Sequence, residues 1–472
     1  MNETNTYIII KYHTRRCVYC FLSFLATMLR HACILLSVVS TNVRAKVDVP
    51  RNCQKGSDSF QRPTTMAHRG LPGYELEHDY PGYMAAIAVG AQYVEYDVTM
   101  TKDDQLIVVH DTWLDSEYNS ADIFPNLRKN LSLVPALDGD AINTKQVVWQ
   151  HDLTYNEIVN SGLCKSYDKF QSRYPGRVVI GGTENCLKPL RVIDATPTLE
   201  RKRKERKVNG KPGFGLVVEL KRPRFYEALG KDMVTPLAKA LTTFTGNVII
   251  QCFEPLYLQR MKELEKKLTD DGTKAAGSPP WIYLQLTIDA DTMRSLGYPE
   301  TKKGIFGDKM YTLADALDVA VPDDESKFDA YMNKISRYAT IFSPWKKCLQ
   351  PVRSDLTPLQ IQQFFQTKEG QKRGRNLVAS ARKHGLETMP YTFRSDVKEL
   401  PRIYKSDASA EMKHYFELGC TGIFTDFAGA GVKAAADFCK TNLRVLAGSV
   451  NSYLNRLPIL LTFLCTFVSD LL

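Results

Sequence analysis

Two rhythms of apolar and polar positions divide this chain. Short apolar runs, rich in β-branched and aromatic residues, occur at 65–67, 93–100, 215–220, 247–253, 281–287, 339–344, 388–393 and 422–425. Bounded by turn residues, they predict buried strands. Between them lie stretches of helical period, such as 255–268 and 359–384, the latter broken by Gly370 and Gly374. Strands alternating with helices predict an α/β fold with a parallel sheet. Eight such runs are the number that a closed TIM (β/α)8 barrel requires.

A ninth run, 106–110, follows the turn Lys102-Asp103-Asp104-Gln105 too closely for a crossover helix. It is expected to fold back as an antiparallel arm on the barrel rim, carrying His110 towards Asp97. Residues 112–195 fit no barrel strand and are rich in Asn, Asp, Tyr and Gly. They predict a small insertion subdomain, after which Thr196-Pro197-Thr198-Leu199-Glu200 reads as a helix start.

The two ends read as processing signals. Arg15-Arg16 and an apolar stretch precede a second short apolar run, 32–39, which is followed by small residues up to Ala45. Residues 1–45 are therefore expected to be a signal peptide or leader, with an uncleaved anchor as the competing reading, and 46–62 a linker to a barrel spanning 63–445. At the other end, small residues 447–452 and a spacer lead to an apolar tail, so that 446–472 reads either as a lipid-anchor signal or as a plain hydrophobic helix. A secreted, extracellular or periplasm-like compartment is therefore expected, with membrane association through the tail if it is an anchor signal.

Composition narrows the class. A chain of 472 residues, 44% hydrophobic and 24% charged, is globular and can hold one large domain with insertions or two ordinary ones. Its net charge of +10 owes much to local runs such as 201–207, which reads as a solvated helix face or a loop. No aromatic-rich nucleic-acid motif accompanies that run, so no nucleic-acid partner is expected. Seven of the eleven cysteines lie between the expected leader and tail, with no close CxxC pair among them, which argues against zinc. In an oxidising compartment Cys164 and Cys186 could bridge, whereas Cys252 and Cys420 read as packed thiols. Asn130-Leu131-Ser132 is a glycosylation acceptor if the chain is secreted.

The candidate chemistry sits at the ends of the first strands. His68-Arg69-Gly70, Glu95-Tyr96-Asp97 and His110-Asp111 fall within forty-four residues of one another. On a strand, Glu95 and Asp97 point to the same face and form a chelate of hard oxygens, suited to calcium or magnesium. The histidines are then available for proton transfer, and Arg69 offers a planar fork of donors to phosphate oxygens. Gly70 allows a close approach of the backbone. These are the parts for a metal-assisted attack on phosphorus.

The chain resembles the glycerophosphodiester phosphodiesterase family, most closely its long periplasmic bacterial type. The resemblance is carried by Ala67-His68-Arg69-Gly70 with Glu77-His78, Val94-Glu95-Tyr96-Asp97-Val98, Thr101-Lys102-Asp103-Asp104 and Val109-His110-Asp111. It continues through Val218-Glu219-Leu220-Lys221, Gln251-Cys252-Phe253, Pro390-Tyr391-Thr392 with Arg394-Ser395-Asp396, and Gly422-Ile423-Phe424-Thr425-Asp426-Phe427. It implies a barrel of the phospholipase C-like phosphodiesterase type with its insertion above the mouth. By the same resemblance Glu219 is the third metal ligand beside Glu95 and Asp97, and Lys221 joins Arg69 on the phosphate. His68 and His110 would act as general acid and base, in either order. Glu77 would bind metal or orient a ligand, while Gln251, Arg394 and Asp426 are strand-end residues that could instead only tie neighbouring strands together. The implied reaction is hydrolysis of a glycerophosphodiester to sn-glycerol 3-phosphate and an alcohol with a divalent cation, Ca2+ before Mg2+. The alternatives are lysophospholipase D or sphingomyelinase D-like cleavage of lipids, a phospholipase C, and a non-catalytic binding protein on the same barrel.

Overall fold

The computed structural model describes residues 53–55, 60–130, 146–179, 186–295, 298, 311–396, 399–404 and 406–441. The expected leader and C-terminal tail lie outside them, as do Leu131 and Ser132 of the acceptor sequence. Residues 52–441 make one structural unit. Among the described residues no helix is long and apolar enough to cross a membrane.

Ten strands form the main sheet: β1 (Thr64–Ala67), β2 (Tyr93–Met100), β3 (Leu106–Val108), β4 (Leu190–Arg191), β5 (Gly215–Leu220), β6 (Val248–Cys252), β7 (Ile282–Thr287), β8 (Ile341–Pro344), β9 (Glu387–Thr388) and β10 (Gly422–Thr425). The parallel order is β9-β8-β7-β6-β5-β2-β1-β10. Just beyond β9 the backbone closes the ring onto β10, with Phe424 N donating to Pro390 O at 3.0 Å and Phe393 N to Phe424 O at 2.9 Å. The eight apolar runs are therefore the eight staves of an α/β barrel. Every residue of β2 and β5 is buried, because one face fills the barrel and the other lies under helices.

The helices include α1 (Tyr80–Ala88), α2 (Tyr167–Arg173), α3 (Val192–Val208), α4 (Val234–Leu241), α5 (Pro255–Asp270), α6 (Pro358–Phe365), α7 (Lys372–Lys383) and α8 (Ala408–Leu418); others lie between them, Phe328–Ser336 among them. Two boundaries differ from the sequence expectation. The helix expected to start at Thr196 begins four residues earlier at Val192, directly after β4 pairs with β3. Pro197 is accommodated inside it, and Thr198 Oγ1 donates to Asp194 O at 2.9 Å across the same turn. The break in 359–384 falls at 366–371, and Gly374 lies within α7, where a side chain would meet the Leu349 carbonyl oxygen at 2.6 Å.

The rim arm is where the turn placed it. β3 pairs antiparallel with β2, Val98 opposite Val108, and β4 extends it. Val109 N donates to Asp97 O at 3.2 Å, so His110 emerges beside the barrel mouth. The described part of the insertion packs around Ile107, Val109, Leu114, Tyr118, Val148, Leu153, Ile158 and Leu163. Cys164 and Cys186 are bridged within it, and a second disulfide joins Cys53 to Cys439. Beyond Cys53, the stretch expected as a linker is also held at Arg62, which pairs with Glu387 at 2.9 Å. Cys252, Cys348 and Cys420 are buried and take part in neither disulfide.

Candidate active site

Alternation along the strands builds the site in two layers. Met66, Tyr93, Val217, Ile249 and Phe424 belong to one apolar cluster inside the barrel. Two residues further along the same strand faces come His68, Glu95, Glu219, Gln251 and Asp426, which ring the C-terminal mouth. Register aligns them: Asp97 is opposite Glu219, and Glu219 opposite Gln251.

Glu95, Asp97 and Glu219 are all buried and present ligand oxygens within 4.8 Å of one another. Lys221 Nζ answers part of their charge, 2.9 Å from Glu219 and 3.5 Å from Asp97. The Gln251 amide donates to Glu95 Oε1 at 3.0 Å and to Glu219 Oε2 at 3.4 Å, fixing two of the three carboxylates from the next strand. Burial, reinforced by the charges of Asp97 and Glu219, pushes the Glu95 carboxyl well above the usual range. Burial likewise lifts Glu219 to about 7 against the pull of Lys221. At Asp97 burial is outweighed by Lys221, His110 and His78, so this carboxyl stays well below its ordinary value. Its Oδ1 is buried and makes no hydrogen bond, with Lys221 Nζ 3.5 Å away. Three hard oxygen ligands crowded together, one of them without a hydrogen bond, fit a divalent cation, whose charge would relieve their repulsion.

Around the acids stand the phosphate and proton groups. Arg69 adopts left-handed backbone geometry, φ 54°, and its N–H donates to Glu95 Oε2 at 2.6 Å. Its guanidinium reaches Glu77 at 2.9 Å and Asp97 at 3.5 Å. Gly70 follows at φ 93°, and a side chain there would strike the backbone of Gly82 at 3.0 Å. The glycine thus serves the packing of this loop on α1. His68 Nδ1 lies 2.6 Å from Asp426 Oδ1, and His110 Nδ1 lies 2.9 Å from Asp111 Oδ1. Burial, then Arg69, lowers the pKa of His68 against the opposing pull of Asp426. The backbone of His110 is held by Glu117, whose Oε1 accepts from its N–H at 2.8 Å.

All eleven candidate residues therefore lie around the barrel mouth, though not all in one cluster. Glu77 stands apart from the three clustered carboxylates, and its two arginines, Arg173 before Arg69, overcome burial and hold it ionised. Arg394 pairs with Asp396 at 2.7 Å and lies 3.6 Å from Asp426. The sequence reading overlooked His78, fully buried with Nε2 2.9 Å from Asp97 Oδ2. It also overlooked Glu117, Lys165, Arg173 and Tyr174 of the insertion. His78 had a signal in its place directly after Glu77; the insertion residues had none, since no motif or spacing ties them to the barrel strands.

A family model described as the glycerophosphoryl diester phosphodiesterase family matches residues 68–279 and 300–430. A glycerophosphodiester phosphodiesterase of Arabidopsis thaliana is 25% identical over 382 residues, 78% of this chain and 85% of its own length. One from Haemophilus influenzae is 25% identical over 398 residues, covering 81% and 91%. Among solved structures, a phosphodiesterase of Oleispira antarctica in complex with the product sn-glycerol-3-phosphate aligns with TM-score 0.43 at 12% identity, over 79% of this chain and 96% of that one.

Proposed function

This chain belongs to the glycerophosphoryl diester phosphodiesterase family, and we propose that it hydrolyses glycerophosphodiesters to sn-glycerol 3-phosphate and an alcohol at the barrel mouth. The observation that carries the reading is the buried triad Glu95, Asp97 and Glu219, flanked by two cations and two carboxylate-bound histidines.

Each residue has a task that its surroundings support. Glu95, Asp97 and Glu219 would hold a divalent cation, Ca2+ or Mg2+, and Gln251 keeps two of them in place. When bound, that cation supplies polarisation of a nonbridging phosphoryl oxygen. Arg69 and Lys221 bring fixed positive charge to the phosphoryl group, preorganised by their own ion pairs. His68 and His110 each have Nδ1 on a carboxylate, which makes Nε2 the nitrogen that exchanges protons. One takes a proton from the attacking hydroxyl while the other gives one to the leaving alkoxide.

The cysteines support a proposal for the compartment. Two disulfides support an oxidising environment and hence a secreted or cell-surface protein, with the tail at 446–472 as the means of membrane attachment. The test of function is a panel of glycerophosphodiesters and lysophospholipids incubated with the full chain, with products identified by mass spectrometry. Glycerol 3-phosphate from the glycerophosphodiesters is the expected result. Turnover of lysophospholipids alone would replace this reading with lipid cleavage.

A further inference from the structure

Two consecutive residues of the insertion reach two consecutive residues of the site, each through one carboxylate. Arg173 ends α2 and Tyr174 follows it. The Tyr174 hydroxyl donates to Asp426 Oδ2 at 2.7 Å, while the other oxygen of that carboxylate lies 2.6 Å from His68 Nδ1. Arg173 Nη1 donates to Glu77 Oε1 at 2.7 Å, and Glu77 Oε2 accepts from Arg69 Nη1 at 2.9 Å. One carboxylate therefore lies between Tyr174 and His68, and another between Arg173 and Arg69.

The dipeptide is itself held. Arg394 stacks on the Tyr174 ring at 4.6 Å and donates to the Arg173 carbonyl through Nη2. The Tyr174 ring packs with Leu76, Phe170, Val179 and Phe427. Packing belongs to the ring, and the bond to Asp426 belongs to the hydroxyl alone, so the two contributions can be separated by removing one oxygen atom.

We propose that Arg173 and Tyr174 are positioning residues of the hydrolysis: Tyr174 orients His68 through Asp426, and Arg173 orients the Arg69 guanidinium through Glu77. This rests on the assignment of His68 to proton transfer and Arg69 to the phosphate. A phenol donor on Asp426 fixes the plane of the carboxylate, and the carboxylate in turn fixes the imidazole and keeps its proton on Nδ1. The charged groups facing His68 are Asp426, Arg69 and Asp97, and those facing Asp426 include Arg394. Without the phenol, Arg394 remains to draw the carboxylate away from the histidine. On this view the insertion is part of the catalytic geometry as well as a cover for the mouth.

The test is steady-state kinetics of the full chain on glycerophosphocholine with Tyr174→Phe, Asp426→Asn, their double variant, Arg173→Gln and Arg173→Lys. Tyr174→Phe should lose roughly tenfold in kcat with little change in KM, as expected for the loss of one hydrogen bond to a charged group. Once Asp426→Asn is present, Tyr174→Phe should cost nothing further, because its route to His68 is already gone. Arg173→Gln should raise KM several-fold, with partial rescue by Arg173→Lys. Tyr167→Phe, on the outer part of the same helix, is the control expected to behave as wild type. Full kcat in Tyr174→Phe, or a loss that multiplies undiminished with that of Asp426→Asn, would overturn the role of Tyr174. An unchanged KM in Arg173→Gln would overturn that of Arg173. If the wild type turns over no glycerophosphodiester, the functional reading has failed, and 15N shifts of the His68 ring decide the positioning separately. A changed Nδ1 signal in Tyr174→Phe supports it, and identical shifts refute it.

Discussion

At the scale of single residues, the site depends on groups whose ordinary behaviour is altered by burial. Replacing His68 or His110 with Ala should reduce kcat by about 10²–10⁴-fold, the range for loss of a positioned acid or base. Circular dichroism should show the fold intact, and near-normal turnover in either variant would remove its assigned role. A histidine away from the site makes a separate prediction. His414 in α8 is 8% exposed, meets the Phe365 ring edge-on with centroids 4.6 Å apart, and has Nε2 without a hydrogen-bond partner. Burial, aided by Arg375, lowers its pKa from 6.5 to about 4. Because the unfolded chain takes up this proton first, the folded state loses stability as pH falls from about 6.5 towards 4, by roughly 3 kcal/mol in all. Urea unfolding at pH 7 and pH 4.5 should show a smaller loss for His414→Phe than for the wild type; equal losses would contradict the assignment. The sequence revealed residue types well where spacing carried meaning, as with Glu95 and Asp97. It was silent on His414, whose state depends on Phe365 of α6 and Arg375 of α7, neighbours that only folding brings to it.

At the scale of elements, strand register does what composition could not. Glu219 lies more than a hundred residues after Asp97, yet parallel pairing of β2 with β5 sets them side by side. From the residues alone only the two-carboxylate chelate on β2 was legible, and the third ligand came from family resemblance. The rim arm was legible because a four-residue turn cannot contain a crossover helix. The insertion was legible only as irregular chain, since its contacts are made by isolated side chains without periodicity. Glu117 illustrates this. It accepts from the His110 backbone and pairs with Lys165 at 2.7 Å, both side chains almost wholly buried, with Lys165 also 4.6 Å from the Tyr118 ring centre. Lys165→Met would strand the Glu117 charge beneath His110, at a cost of about 3–5 kcal/mol. Thermal unfolding should reveal a large destabilisation, and a change below about 1 kcal/mol would show that the pair does not anchor the arm.

At the scale of the whole molecule, the barrel is closed twice, once by hydrogen bonds onto β10 and once covalently. The Cys53–Cys439 bridge joins residues separated by 386 positions, a link that no local pattern could reveal. Constraining so long a loop in the unfolded chain stabilises by up to about 5 kcal/mol. A Cys53→Ser/Cys439→Ser variant should unfold at clearly lower denaturant, and an unchanged midpoint would mean that the barrel needs no clamp. The central claim remains the acidic triad as a cation site for phosphodiester hydrolysis. Its most direct measurement is a Ca2+ titration of the chelated full chain, following heat of binding and glycerophosphocholine hydrolysis together, in wild type and Glu219→Gln. The expected result is one binding site whose occupancy and turnover rise in parallel, with both strongly weakened in the variant. Undiminished hydrolysis by the chelated wild type, or wild-type binding and turnover in Glu219→Gln, would contradict the account.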